Sequence, residues 1–548
     1  MRSILLTAGI LAAVLIFACT QAPQRMDTEA PVPQTAMSAP TPAMDPFSAI
    51  DRHALAAPAA VTGDVQRLAA YLVRPARNDT ERARALFRWM TAHIAYDTEA
   101  FFSRRFRNQA ATAESVLRSR RAVCDGYARL YQALGQAAGL EVERIPGYAK
   151  GFGYAVGESF AGESNHAWNA VRIDGQWRLL DATWGAGHVD ADQRKFMRRF
   201  DAHYFLTPPA QLVASHLPEE ERWQLLGRPV RLADFERAPQ RRPPFFQHGL
   251  QLRSHETAVI EGDARLAVTL GTPQGTPLLA RVYRGEQALP RNLARVAAGG
   301  GETTIHVLLP EPGTYRLGIL TPVPGDTRRF ELAMQYQVRA RAGTRERFPR
   351  FGPVFAAHGW RLPQDTGGER VTRGRLTLTA EVPPDVMVTG HLQPAGGKPL
   401  PGALLVQREG TVLTVHAAPP RAGDYDLQLF SKRDTAANTF DFALGIAVHA
   451  TAGAAGSFPE TYGGFGQLGA VLHGPMEGDL SAGQAVAFDV TVPPADRVAV
   501  STGGKWIELR QQGSRFRGEV TVRPGGAEVY ARLPGESQYM GLLKYRSR

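Results

Sequence analysis

Cys124, His166 and Asp181 follow one another along the chain, in the stretches VCDGYARLYQAL, NHAWN and LLDATWG. A thiol, an imidazole and a carboxylate are the set that nucleophilic thiol catalysis requires: the sulfur attacks, the imidazole moves protons and the carboxylate orients the ring. Cysteine is scarce, with two in 548 residues, so each asks for its own account.

The other one, Cys19, closes an N-terminal segment in which a single early charge, Arg2, is followed by an apolar run ending at Ala18. Such a run is too short for a membrane-spanning helix and reads as an export signal over residues 1–18. Its end, LIFAC, resembles the lipobox of bacterial lipoproteins, with Phe17 bulkier than that pattern usually takes. The resemblance implies that Cys19 is acylated and that the protein sits in the bacterial cell envelope on a lipid anchor; a plain signal peptide cleaved elsewhere is the alternative. Either way the chain is expected to be exported. In an oxidising compartment an unpaired Cys124 is a thiol kept for use, whereas an arbitrary cysteine would more often be a buried structural one.

The elements that must position these groups are legible. Asn78-Asp79-Thr80 caps ERARALFRWMTAHIAYD, where Ala85, Trp89, Ala92 and Tyr96 recur at helical spacing. A short helix is expected after Thr112. Cys124 then opens a third, with Tyr127, Leu130, Tyr131, Leu134 and Ala138 on one face and Gly139 ending it. That puts the thiol at a helix N-terminus, where unpaired N–H groups and the macrodipole favour the thiolate, while the charge of Asp125 opposes it. NHAWNAVRIDGQWRLLDATWG reads as two strands about an Asp174-Gly175 turn. Pairing Ile173 with Gln176 carries back to Trp168 with Asp181 and His166 with Thr183. His166 and Asp181 then become diagonal neighbours on one face, within side-chain reach. A three-residue turn would undo this register.

CDGYARLYQALGQAAGLEVERIPGYAKG and NHAWNAVRIDGQWRLLDATWGAG together resemble the transglutaminase-like core, a papain-related fold. WMTAHIAYD and YFLTPPAQLVASHLPEEERWQLL narrow the resemblance to the kyphoscoliosis-peptidase and hillarin-like branch, over roughly residues 65–230. The resemblance implies that Cys124 is the nucleophile, His166 the base and Asp181 the orienter. The substrate class implied is protein or peptide amides, attacked to give a thioester that water or an amine resolves. An oxyanion hole made of the Cys124 N–H and a second donor is also implied; Trp89 and Tyr96 are candidates for that donor, although as helix residues they suit a core.

Residues 19–58 are rich in Pro, Ala, Thr and Gln, hold few large apolar side chains and are expected to form a disordered linker. The transglutaminase-like domain is expected over 60–235. Beyond it RLAVTLGTP at 265–273, RLTLTAEVP at 375–383 and AVAFDVTVP at 485–493 recur every 110 residues, and Pro239, Pro349 and Pro459 keep the same period. Alternating apolar residues and turn-rich spacing make these three β-sandwiches, immunoglobulin-like, over 240–343, 344–453 and 454–548. The fold class is therefore α+β, a papain-like core followed by three all-β repeats. His248 and His358 share the repeat while Leu468 replaces them in the third unit, which points to packing over metal binding.

The formal net charge of +11 is carried by scattered arginine pairs without aromatic interleaving, so no nucleic-acid partner is expected. His188, Asp190 and Asp192 lack the glycine and terminal glutamate of a calcium loop. No metal and no cofactor is expected. The function this supports is an exported thiol enzyme of acyl transfer, peptidase or cross-linking; the alternative is a non-catalytic envelope adhesion or scaffolding protein.

Overall fold

The computed structural model describes residues 45–547, apart from 105–110, 161, 163, 191–193, 274–275, 363–369 and 434–438. The signal segment, Cys19, Asp192 and the linker to residue 44 lie outside the described residues. The linker expected to reach residue 58 ends earlier. Ser48–Leu55 is a helix that packs on the helix Asp79–His93, with Ile50 and Ala54, four residues apart, buried in the core. Its Asp51 accepts from two nitrogens of Arg84, Nε and Nη2, each at 2.8 Å. Two apolar residues on one face and one buried ion pair order a segment whose composition alone suggested none.

The helix that Cys124 opens, Cys124–Ala137, ends as its glycine requires. Gly139 adopts φ 77°, the Gly139 N–H bonds to the Gln136 carbonyl, and the Leu140 N–H bonds to the Gly135 carbonyl at 2.9 Å, a left-handed helix stop that a Cβ would strain. The chain turns directly into a sheet of order Gln176–Leu180, His166–Ile173, Val142–Ala149, His216–Pro218. Asn169 ties helix to sheet, its amide donating to the carbonyls of Ala128 and Glu143 at 3.0 and 3.2 Å. Gly147 admits the last strand: a Cβ there would lie 2.4 Å from both the Leu217 carbonyl oxygen and the Trp168 ring.

The remainder is three two-sheet β-units. The first is built on Leu279–Arg284, Gly313–Val323 and Asp326–Ala340 against Arg265–Gly271, Ala294–Gly299 and Glu302–Leu308, around Val268, Ile305, Leu317 and Tyr336. The second and third repeat the plan, each with its own buried cluster. A short helix opens each unit, at Pro243–Gln247, Val354–Ala357 and Gly463–Gln467, and each is followed by a left-handed glycine, Gly249, Gly359 and Gly469. His248 meets the Pro322 carbonyl and His358 the Ser431 hydroxyl, both at 2.9 Å, so each histidine ties the end of its unit's opening helix to a distant strand, Gly313–Val323 or Gly423–Lys432. Tyr315 and Tyr425 each donate to the carbonyl four residues upstream, at 2.8 and 2.9 Å, the tyrosine corner of immunoglobulin-like sandwiches.

Candidate active site

Cys124 is the first residue of its helix, partly exposed and not in a disulfide. Gly126 lets that first turn sit close: a Cβ there would be 2.8 Å from the Ala122 Cβ and 3.1 Å from Val116. Asp125, whose charge was expected to oppose a thiolate, is instead compensated by Arg129 at 2.8 Å and Arg144 at 2.9 Å.

The hairpin turns at Asp174 and Gly175, with φ 49° and 76°, the two-residue turn that fixes the register. Ile173 pairs with Gln176 and the ladder runs back to Asn169 with Leu180, then stops. The expected pairs of Trp168 with Asp181 and of His166 with Thr183 do not form, because Ala182–Ala186 is a helix and Asp181 is its cap. Asp181 Oδ1 accepts the N–H groups of Thr183 and Trp184 at 2.7 and 3.2 Å. The departure from the ladder still delivers the carboxylate: Asp181 Oδ2 lies 2.8 Å from His166 Nε2. With Nε2 so engaged, Nδ1 is the imidazole nitrogen left for the thiol.

Both groups are enclosed, His166 7% and Asp181 1% exposed by side chain. Burial opposes a charge on His166, but the charge and hydrogen bond of Asp181 outweigh it and Cys124 acts in the same direction, so the ring's pKa is raised to about 10. Burial likewise opposes the Asp181 carboxylate, and His166 followed by His216 hold it below the usual carboxylate range. The Asp181 carboxylate thus favours the protonated form of the His166 ring it is bonded to.

One residue here was not foreseen. His216 Nε2 lies 3.1 Å from the same Asp181 Oδ2, and its Nδ1 is 2.8 Å from the Ser215 hydroxyl. Sheet register explains its arrival: His166 stands opposite Gly147 and His216 opposite Ala149, two positions along one strand and so on one face. Nothing in the local sequence around His216 announces this, since its strand is three residues long. Trp184, Trp168 and Tyr204 wall the pair, with Trp184 4.4 Å from the His216 ring and 5.6 Å from that of His166. His166, Asp181 and His216 are also the one group of three metal-capable side chains among the described residues. The Nε2 atoms of the two histidines both lie at hydrogen-bond distance from one oxygen, Asp181 Oδ2.

Of the two candidate oxyanion donors, Trp89 is fully buried, stacked on His93 and covered by Arg120. Tyr96 is not in the helix, which ends at His93. It lies in the strand Ala95–Tyr96, paired parallel with Arg121–Ala122, one residue short of the thiol. Burial and then the charge of Cys124 push its hydroxyl pKa well above the ordinary range. His188 and Asp190 lie on the strand Gly187–Asp190 and do not join a metal-capable group among the described residues.

The fold and the site define a transglutaminase-like core followed by an immunoglobulin-like β-region. Residues 66–182 match the transglutaminase-like superfamily, and residues 232–346 match the KY-like, immunoglobulin-like domain. Kyphoscoliosis peptidase of Mus musculus is 28% identical over 511 residues, covering 89% of this chain and 75% of that protein. Its Homo sapiens counterpart is 28% identical over 505 residues, covering 88% and 74%. Hillarin of Drosophila melanogaster is 33% identical over 219 residues, covering 37% of this chain and 26% of its own.

Proposed function

We propose that the protein is an exported thiol enzyme that transfers acyl groups from protein or peptide amides, with Cys124 as nucleophile, His166 as general acid and base, and Asp181 as orienter. The observation that carries this reading is the enclosed His166–Asp181 pair, 2.8 Å apart, whose free ring nitrogen is left for a thiol at a helix start. The name peptidase borne by the mouse and human relatives supports it. In the first step a C–S bond forms as the carbonyl π pair moves onto oxygen. The tetrahedral adduct then collapses, the C–N bond breaks, and His166 gives its proton to the departing amine. The resulting thioester is resolved by water or an amine, with neutral His166 taking the acceptor's proton. Tyr96 and the Cys124 N–H are the oxyanion donors.

Membrane anchoring through Cys19 belongs to the same proposal and rests on LIFAC. Among the described residues no helix is long and apolar enough to cross a membrane.

The test uses a glutamine-bearing protein with a fluorescent amine. Acylation of the wild type should be lost in Cys124→Ala and fall at least about a thousandfold in His166→Ala, as removal of triad members does elsewhere. Amine incorporation identifies transfer and cleavage without incorporation identifies hydrolysis. Neither product from the wild type, over a panel of protein substrates, rejects the enzyme reading in favour of a binding protein.

A further inference from the structure

His216 has no role in the three-residue reading, yet its side chain is 0% exposed and it is bonded on both ring nitrogens. A carboxylate only accepts, so Nε2 is the donor to Asp181; with burial holding the ring neutral, Nδ1 is left to accept from the Ser215 hydroxyl. Burial first, with the charge of His166 adding to it, pushes its pKa down to about 4, against the pull of Asp181. The groups facing it are Asp181 from the cap, His166 from the neighbouring hairpin, His203 and Tyr204 from the segment after the short helix, Ser215 beside it, and the rings of Trp168 and Trp184.

Asp181 thus receives four donors, two backbone N–H groups on Oδ1 and two imidazoles on Oδ2, which fills a carboxylate. It cannot turn, and the oxygen that grips His166 at 2.8 Å shares its charge with a second imidazole at 3.1 Å. We propose that His216, locked by Ser215, is a positioning residue that moderates the hold of Asp181 on His166. This rests on the acyl-transfer reading above. Its consequence lies in the second half-reaction, where a water or amine acceptor needs His166 neutral. An aspartate committed wholly to His166 would keep it an imidazolium to higher pH, and His216 lowers the pH at which the base becomes available.

The test follows deacylation of full-length protein acylated by p-nitrophenyl acetate, as a function of pH. In His216→Phe the rising limb should move to higher pH by about one unit, a tenfold change in proton affinity. His216→Gln, which keeps an N–H donor, should move it less. A merely structural role would lower the folded fraction and leave the limb in place. A folded His216→Phe with an unmoved limb overturns the proposal. Should that variant not fold, Ser215→Ala must still shift the limb in the same direction, and an unmoved limb there is equally fatal. His166→Ala separates the two readings: if it deacylates like the wild type, the acyl-transfer assignment fails and this one falls with it. If it is slow while His216→Phe is unaltered, only the role of His216 is rejected.

Discussion

Tyr96 enters the site from a strand of two residues, and its hydroxyl is kept protonated by burial and by the charge of Cys124. The oxyanion-donor role proposed for Tyr96 is separable from the nucleophilic role proposed for Cys124, because alkylation of a thiol develops no oxyanion whereas acylation by an amide does. Tyr96→Phe should therefore slow acylation by about 100- to 1000-fold, the cost of one oxyanion donor, with iodoacetamide alkylation of Cys124 unchanged. Parallel rate measurements on the one variant check this; equal loss in both reactions would make Tyr96 a packing residue. The helical spacing of Ala85, Trp89, Ala92 and Tyr96 was an accurate guide as far as His93. It misled at Tyr96, because pairing of Ala95–Tyr96 with Arg121–Ala122 overrides a local periodicity that continues past the helix end.

Among the elements, the helix Ser48–Leu55 depends on one interaction more than on its own propensity, since eight residues are too few for a helix stable alone. Arg84 is 2% exposed, bonded twice to Asp51 and covered by the rings of Phe47, Phe200 and Phe205. Asp51→Ala leaves that guanidinium buried without its main partner and should cost about 3 kcal/mol, whereas Asp51→Leu with Arg84→Met should recover most of it. Urea unfolding of the two variants measures the difference; a loss under 1 kcal/mol for Asp51→Ala, of the order of an exposed pair, would mean that the pair contributes little. The other elements were readable because their signals are local. Asn78 and Thr112 cap the helices they precede, accepting from the N–H groups of Glu81 and Ser115, and the Asp174-Gly175 turn sets the hairpin register.

At the scale of the molecule, the transglutaminase-like core meets the first β-unit through Lys150. This amine is 1% exposed, donates to the Ala238 carbonyl at 2.7 Å and lies over the rings of Phe235 and Tyr154, while the Gln240 amide returns a bond to the Lys150 carbonyl. Burial, then Arg241, lowers its pKa from 10.5 to about 7. Between those values the unfolded chain binds a proton that the folded chain does not, so Lys150 makes stability rise with pH. His166 acts oppositely: raised from 6.5 to about 10, its contribution is complete below 6.5 and is lost as pH climbs through 10. In the wild type the two slopes offset. Lys150→Met removes one, and its unfolding midpoint in urea should fall more steeply than that of the wild type from pH 7 to 10. Identical pH profiles for the two proteins would show that Lys150 folds as an ordinary charged amine.

By itself the sequence determined the order and type of the candidate site groups, the helix start under Cys124, the hairpin that carries His166 to Asp181, and the repeat that becomes three β-units. Each of these is written in residues close together or in a fixed period. The tertiary structure alone decided the partners set by distant pairing: His216 joins Asp181 across 35 residues, Arg84 joins Asp51 across 33, and Lys150 joins Ala238 across 88. It also decided that Asp181 leaves the ladder to cap a helix. The reason is physical. A three-residue strand at His216–Pro218 and a single buried lysine have no periodicity of their own, and they acquire their places only when Gly147 lets the last strand close on the sheet.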